Sequence, residues 1–317
     1  MNELLSIKDK IALVTGRANP KLAENVSKNL KVPLSTVDIK TFKDGEIQVY
    51  YEETIRGKNV FIIQPTFSPS DNIIELLMLI DAAKRASAAS IIAVVPYFGY
   101  ARQDRKDKAR TSIGAKLMAN LYTVAGINRL ITMDLHQDQI QGFFEIPVDH
   151  LYSSALFIPY IKDLNLDNLC IVSPDTGGTK RASSYAKFLS CELAIGYKQR
   201  SRANEVDSLQ IIGDVKDKNV IIVDDIIDTA GTLAKAAKEI KDAGAKSIMA
   251  VCPHALLSGK GVENLENSYI EKLITTDSIP LCVPSSKIEV LSTAPLLANI
   301  ITCVMNNCSI EQHFTPF

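Results

Sequence analysis

The sequence predicts an α/β fold of two domains built on mostly parallel sheets. Three observations carry that prediction. Short β-branched runs alternate with segments of helical period along the whole chain. The strand-like runs are apolar at consecutive positions, as strands covered on both faces are. A length of 317 residues with 46% hydrophobic content is enough for two cores.

Taken in order, residues 11–14 form the first predicted strand. Asn19 then offers an N-cap and Pro20 a first helical position for the helix that follows. Residues 41–46 read as a hairpin turn, with nothing local to mark a site. Strand 60–63 leads into a helix over 71–89, where Ile73, Ile74, Leu77 and Ile80 have amphipathic spacing. Strand 91–95 ends in a basic loop over 97–110, followed by a helix at 112–125 and a strand at 130–135. A second series opens with strand 169–172 and helix 180–189. Strands around Ala194 and Val220, helix 233–243 and strand 247–251 complete most of it. The chain is expected to divide between residues 151 and 166, giving domains 1–155 and 156–317. No sequence repeat links the halves.

Composition excludes several classes. Net charge is −1, with 35 basic residues against 36 acidic ones spread along the chain, so there is no footprint for nucleic acid. Basic residues concentrate only locally, over 102–110 and 198–202. Apolar stretches are broken at Glu75, Asp81 or Pro96 and are too short to span a bilayer. The opening MNELLSIKDK is polar and mixed in charge, unlike a signal peptide. Six cysteines occur without a CxxC pair or zinc-ligand spacing, which points to reduced thiols. The expectation is a soluble cytoplasmic protein with no nucleic-acid or membrane partner.

The stretch from Val220 to Thr232 carries the most chemistry. Four apolar residues, Val220–Val223, end in Asp224 and Asp225; Asp228 follows, then Thr229-Ala230-Gly231-Thr232 at the start of a helix. Free backbone N–H groups and the positive dipole end at such a turn hold a phosphate. Small residues let the backbone wrap it, and the Thr229 and Thr232 hydroxyls add donors. Asp224 and Asp225 suit the vicinal hydroxyls of a ribose. As a bare pair they read rather as N-cap acids, since caps are commoner than sites, but a cap has no use for three acids and two threonines in this order.

Four other stretches are candidates. Ser173 to Lys180 is a second strand-to-helix turn, in which Gly177 and Gly178 allow a diphosphate-hugging backbone beside Thr176. Asp175 there would supply an oxygen ligand for Mg²⁺. Without GxxxxGK[ST] in the chain, any ATP site is not of the P-loop type. The loop Tyr97–Lys106 follows a strand end, where open sheets place ligands. Its aromatic and Arg planes suit a base and its charges suit phosphates, though alone it reads as a solvated basic loop. Asp134 and His136 continue a predicted strand and share a face; His136 suits a metal, a phosphate or a purely structural contact. Residues 198–207 lack hydrophobic period and read either as a surface loop or as a lid whose cations close over a phosphoryl-transfer site.

The strand–DDxxDTxGT–helix string resembles the signature shared by type I phosphoribosyltransferases and ribose-phosphate pyrophosphokinases. FxDGE at 42–46, YARQDRK at 100–106, DLHxxQIQGFF at 134–144 and SPDxGG at 173–178 accompany it in order. The set covers essentially the whole chain and resembles class I ribose-phosphate pyrophosphokinase. That resemblance implies two phosphoribosyltransferase-like domains and Mg²⁺-dependent conversion of ATP and ribose 5-phosphate to 5-phosphoribosyl 1-diphosphate and AMP. By the same resemblance His136 and Asp175 hold Mg²⁺–ATP. Arg102, Gln103 and Asp104 contact ATP, and Phe42, Asp44 and Glu46 reach the adenine of a neighbouring subunit's ATP. Asp175–Gly178 is the pyrophosphate loop, Asp224, Asp225 and Asp228 to Thr232 hold ribose 5-phosphate, and Lys198 and Arg200 are the catalytic pair. A hexamer built from dimers is implied as well. No general base is assigned.

Departures from the family pattern concern regulation. Ser87, Arg110 and Ser309 match a site for inorganic phosphate, an activator, and for ADP. Thr54 replaces a serine conservatively, but Glu311 stands where a second serine is usual. A carboxylate beside a bound phosphate repels it unless Arg56 or Arg110 compensates, so weaker phosphate activation and ADP inhibition are expected. Two other readings share part of the pattern. A type I phosphoribosyltransferase would share only the 224–232 string, leaving Arg102 and His136 unexplained. A non-catalytic regulatory homologue would lose the loop around Lys198 and Arg200, which is intact here.

Overall fold

The computed structural model describes residues 7–199 and 208–311. Its chain separates into two compact units, one of residues 7–152 with 292–311 and one of residues 153–291.

Unit 1 opens with a short helix α1 (Ile7–Lys10) and strand β1 (Ile11–Thr15), then helix α2 (Pro20–Leu30). Asn19 caps α2 as expected, its side chain accepting from the Leu22 N–H at 3.2 Å. An antiparallel hairpin follows, β2 (Val37–Thr41) and β3 (Ile47–Tyr51). Strand β4 (Asn59–Ile63), helix α3 (Asp71–Arg85), strand β5 (Ser90–Val95), helix α4 (Gly114–Ala125), and strands β6 (Arg129–Met133) and β7 (Val148–Leu151) complete the series. The five-stranded sheet is parallel throughout and runs β1-β4-β5-β6-β7. Consecutive strand residues face opposite cores: Ala12 and Val14 of β1 join α3 and α4, while Ile11 and Leu13 join α2. Burial on both faces explains why these strands read as unbroken apolar runs.

Unit 2 begins with helix α5 (Ser154–Asp163), strand β8 (Leu169–Ser173), helix α6 (Thr179–Leu189) and strands β9 (Glu192–Gln199) and β10 (Ser208–Ile212). Strands β11 (Asn219–Val223) and β12 (Ile226–Ile227), helix α7 (Gly231–Asp242), and strands β13 (Ser247–Cys252) and β14 (His254–Ala255) follow. Helix α8 (Gly261–Glu266) and strands β15 (Lys272–Thr276) and β16 (Ile288–Leu291) end the unit. Its seven-stranded sheet runs β10-β9-β8-β11-β13-β15-β16, with only β10 antiparallel to its neighbour. Helices α5 and α6 cover one face through Ile171, Ile221 and Val223, while α7 covers the other through Cys170, Val172, Val220 and Ile222.

The α/β class with parallel sheets and flanking helices is the expected one. Three local expectations are corrected. The helix predicted over 71–89 stops at Arg85, because Ser87 turns left-handed (φ 62°) and the Ala88 N–H closes on the Ala83 carbonyl at 3.2 Å. The strand predicted over 130–135 stops at Met133, because Asp134 is left-handed (φ 42°). Residues 156–317 do not form one unit, since the last helix, α9 (Ala294–Asn306), belongs to unit 1. It lies on α2 and buries Leu296, Leu297, Ile300 and Ile301 in the same core as Leu13, Leu22 and Phe61. No sequence period could reveal that, because an amphipathic helix does not record which sheet it covers.

Leu297 is 1% exposed in that core. Leu297→Ala is expected to lower stability by about 2–5 kcal/mol, the usual cost of such a cavity. Val304→Ala, at a half-buried position of the same helix, should cost less; urea unfolding midpoints of the two variants measure the difference.

Candidate active site

Strand order reverses in unit 2 between β8 and β11. From β8 the chain crosses by α6 to β9 on one side; from β11 it crosses by α7 to β13 on the other. Open α/β sheets bind ligands at the carboxyl ends of strands flanking such a reversal, because the crossovers diverge and leave a crevice. The turns after β8 and β11 are the two singled out from the sequence, 173–178 and 224–232.

The first turn is folded around Asp175. Its Oδ1 accepts from the Gly177 N–H at 2.9 Å and the Gly178 N–H at 3.2 Å, and Ser173 Oγ donates to its carbonyl at 2.6 Å. Gly178 is required here: a Cβ would lie 2.8 Å from Ser173 Oγ, with the Val223 carbonyl of β11 at 4.0 Å. Thr176 and Gly177 are exposed at the tip.

The second turn leads straight into α7. Ala230 at its N-cap is left-handed (φ 57°, ψ 5°), and no side chain caps the helix. That conformation costs a non-glycine residue about 1–2 kcal/mol, and it turns the following amides toward one concavity, the form of an anion nest. Thr229 and Thr232 are exposed beside it and the first turn holds no acidic residue. The turn is braced from behind. Residues Ile226 and Ile227 pair with His254 and Ala255, the Asp228 carbonyl accepts from the Ser258 N–H at 2.9 Å, and Asn264 Nδ2 donates to the Thr229 carbonyl at 2.8 Å.

Asp224 and Asp225 lie at the base of this crevice. The Asp225 N–H donates to Asp224 Oδ1 at 2.9 Å, and Arg181 of α6 donates to Asp225 Oδ1 at 3.0 Å. Burial of its carboxyl, then the charge of Asp225 beside it, hold Asp224 well above the ordinary carboxylate range; Arg181 works against that. The two carboxyls are thus crowded together where a sugar's hydroxyls or a cation would be received.

In unit 1, the loops after neighbouring strands β5 and β6 share the carboxyl edge of the sheet. Arg102 and Gln103 are exposed and Asp104 half-buried, just before α4. Tyr97 and Phe98, expected to offer planes to a base, are buried instead. Phe98 packs edge-on against Tyr122 and Phe144, both at 5.9 Å, so of the three aromatics only Tyr100 is exposed. His136 is half-buried, whereas Asp134 and Leu135 are both buried. The shared face expected for Asp134 and His136 is lost with the strand that ends before them. Phe42, Asp44 and Glu46 stand exposed at the β2–β3 tip. Lys198 is paired in β9 opposite Leu209, while Arg200 lies outside the described residues. Thr54 and Arg56 are exposed near Ser87, whose carbonyl accepts from the Gly57 N–H at 2.9 Å. Arg110, Ser309 and Glu311 occupy other exposed segments, with the Glu311 N–H donating to Ser309 Oγ at 3.1 Å.

Comparison with known proteins agrees with both halves. Residues 11–126 match the N-terminal domain of ribose phosphate pyrophosphokinase, and residues 197–315 match the phosphoribosyl synthetase-associated domain. A ribose-phosphate pyrophosphokinase of Porphyromonas gingivalis is 52% identical over 303 residues, covering 95% of this chain and 97% of the relative. One from Campylobacter jejuni is 53% identical over 303 residues, covering 95% and 98%. The crystal structure of phosphoribosylpyrophosphate synthetase from Mycobacterium smegmatis superposes with a TM-score of 0.90 at 38% identity, over 94% of this chain and 99% of that one.

The chain belongs to the ribose-phosphate pyrophosphokinase family.

For a member of this family, sequence reasoning missed several residues. Arg181 sits in a helix whose pattern marks only its buried face, so its bond to Asp225 was invisible. Asn264 and Gly261 act through contacts distant in sequence; a Cβ on Gly261 would approach the Asp228 carbonyl to 2.9 Å. His150 is fully buried behind the His136 loop. Its Nε2 accepts from the Leu135 N–H at 2.9 Å, which leaves the proton on Nδ1, 3.8 Å from the Asp138 carboxylate.

Gly178→Ala is expected to weaken binding of the phosphoribosyl diphosphate product about tenfold by displacing the Asp175 turn. Adding Ser173→Ala removes the atom that the new Cβ meets, and calorimetry should show part of the affinity returning. A second expectation concerns pH. Because the folded state raises the pKa of Asp224, its contribution to stability is present below the ordinary carboxylate value and lost as pH rises. Asp224→Asn should therefore raise the melting temperature near neutral pH, by about 2–4 °C for each kcal/mol gained. The gap should close near pH 4, and the variant should be inactive.

Proposed function

We propose that the crevice between β8 and β11 holds ribose 5-phosphate and receives the diphosphoryl group of ATP on its 1-hydroxyl. The observation that carries this reading is the placement of a helix N-terminus behind a left-handed Ala230, and of a carboxylate pair in which Asp225 is buried and Asp224 half-buried, at one strand-order reversal. The family's enzymes convert ATP and ribose 5-phosphate to 5-phosphoribosyl 1-diphosphate and AMP, a step that feeds nucleotide biosynthesis.

Each part of the site has a task in that reaction. The amides from Thr229 to Thr232 receive the 5-phosphate, and Asp224 and Asp225 accept from the ribose hydroxyls. The Asp175–Gly178 turn receives the diphosphate. The 1-hydroxyl oxygen then bonds to the β-phosphorus in line while the bond from that phosphorus to the α,β-bridging oxygen breaks, releasing AMP and the hydroxyl proton. Lys198 and Arg200 supply positive charge as negative charge builds on the transferred group. Arg102, Gln103, Asp104 and His136 hold ATP, and Phe42, Asp44 and Glu46 meet its adenine from a neighbouring subunit.

The donor set fits Mg²⁺, a hard cation that takes few protein ligands. Asp175 keeps one carboxylate oxygen outside its own turn's hydrogen bonds, and the charge crowded at Asp224 favours a cation nearby. When bound, Mg²⁺ would neutralise the charge of the transferring phosphates; Asp175 and His136 are the residues proposed to hold it with ATP. Among the described residues no group of three or more His, Cys, Asp or Glu side chains is placed to hold a metal ion.

Self-association, as a hexamer built from dimers, is supported by exposed apolar side chains on α4: Leu117 is 51% exposed and Val124 79%. A cytoplasmic location is proposed for the protein as well; no helix among the described residues is long and apolar enough to cross a membrane. The exposed Thr54, Arg56 and Ser87 are proposed to belong to a phosphate site weakened by Glu311.

AMP release from ATP, Mg²⁺ and ribose 5-phosphate, followed across a phosphate titration, tests these readings together. Lys198→Ala should lose about 10²–10³ in kcat, the scale of one charge-stabilising donor. A shallow phosphate response, restored toward a steep one by Glu311→Ser, is expected. Nucleobase-dependent release of diphosphate with no AMP would instead favour a phosphoribosyltransferase.

A further inference from the structure

Glu75 is a carboxylate where the fold would accept a leucine. It lies in α3, 2% exposed, among the residues that pack this helix on the sheet. A buried charge is costly unless its oxygens are fully engaged, and here they are. Oε1 accepts from the Arg17 backbone N–H at 2.5 Å and from Gln64 Nε2 at 3.1 Å, while Oε2 accepts from Arg17 Nε at 2.6 Å. Gln64, at the end of β4, is held in turn: its Oε1 accepts from the Ala18 N–H at 3.1 Å. The Gly16 turn presses against the same side chain, for a Cβ there would lie 2.2 Å from Gln64 Oε1.

The outcome is one arginine aimed in a fixed direction. With Nε on Glu75, the planar guanidinium has a single orientation, and its Nη1 donates to Thr41 Oγ1 at 2.9 Å. Thr41 is the last residue of β2. Phe42 follows, 47% exposed, in a turn closed by the Phe42 N–H on the Glu46 carbonyl at 2.8 Å and the Glu46 N–H on Asp44 Oδ1 at 3.1 Å. The far end of the hairpin is anchored by packing, with Tyr51 Oη donating to the Leu79 carbonyl at 3.0 Å. Arg17 braces the other end, next to the tip.

We propose that Arg17 is a positioning residue for nucleotide recognition: through Glu75 and Gln64 it holds Thr41, and so sets the hairpin tip bearing Phe42, Asp44 and Glu46 at the angle at which it reads a purine. This rests on the reading of that tip as the adenine contact. Arg17 itself touches no substrate. Losing the brace leaves chemistry at the ribose intact and weakens and blurs recognition of the base.

The test compares steady-state kinetics of the full-length enzyme with ATP and with GTP. Arg17→Lys keeps a charge beside Glu75 but loses the planar fork whose Nε and Nη1 reach Glu75 and Thr41 in one fixed orientation, and Thr41→Val removes the accepting hydroxyl at nearly constant volume. Each is expected to raise KM for ATP about tenfold, to lower the ATP-to-GTP ratio of kcat/KM, and to leave KM for ribose 5-phosphate and the melting temperature unchanged. Thr41→Ser, which retains the hydroxyl, should behave as the unaltered enzyme. Phe42→Ala is run alongside. If Phe42→Ala shifts ATP recognition while Arg17→Lys and Thr41→Val do not, the bracing role is wrong and the adenine contact stands. If Phe42→Ala changes nothing, the adenine contact itself is wrong, and the bracing role falls with it. Equal loss of kcat with both nucleotides in Arg17→Lys and Thr41→Val would mark a purely structural contact and overturn the proposal.

Discussion

Between β8 and β11 the strand order of unit 2 reverses, and the crossovers leave the sheet toward opposite faces. Everything at the candidate site depends on that divergence. It brings two strand-to-helix turns side by side, so close that a Cβ on Gly178 would lie 4.0 Å from the Val223 carbonyl. Helix α7 begins there with no side-chain cap and with a left-handed Ala230 at its N-cap. The sheet of unit 1 has no such reversal, its strands running in one continuous order. Its candidate residues are accordingly spread over loops along one edge and a projecting hairpin.

The electrostatics of the site work against the stability of the empty protein. Asp224 is held above the ordinary carboxylate range by burial and by the Asp225 carboxylate, with Arg181 and the Asp225 N–H offsetting part of the cost. A left-handed Ala230 adds backbone strain. Both features make sense together as preorganisation, in which charge and amides are fixed before the ligand arrives and no reorganisation is needed when it does. The brace formed by β12, β14 and α8 resists that strain from behind, through the bonds to Asp228 and Thr229.

Unit 1 shows the same economy with different parts. Glu75, Gln64 and Arg17 form a connected set of hydrogen bonds at the carboxyl ends of β1 and β4, where a hydrophobic residue would have filled the space. His150 plays a comparable part behind the His136 loop, taking the Leu135 N–H and fixing its own tautomer. In each case a buried polar side chain orients a loop whose exposed residues are the candidates for contact with ligand.

Much of this was legible in the chain itself. Strand cores and helix starts follow from local physics: Pro20 after a capping Asn19, and β-branched runs buried on both faces. The two strand-to-helix turns of the candidate site were legible too, since glycines, threonines and acids between a strand and a helix restrict what the backbone can do. Tertiary structure alone decided the rest. It buried Tyr97 and Phe98 in the core, ended a strand at the left-handed Asp134, and returned α9 to the first unit. It also brought Arg181 to Asp225 across 44 residues and Arg17 to Glu75 across 58. Residue pattern encodes which face of an element is apolar; which partner covers that face, and which polar atoms meet there, depends on strand order and register, and these exist only once the chain has closed on itself.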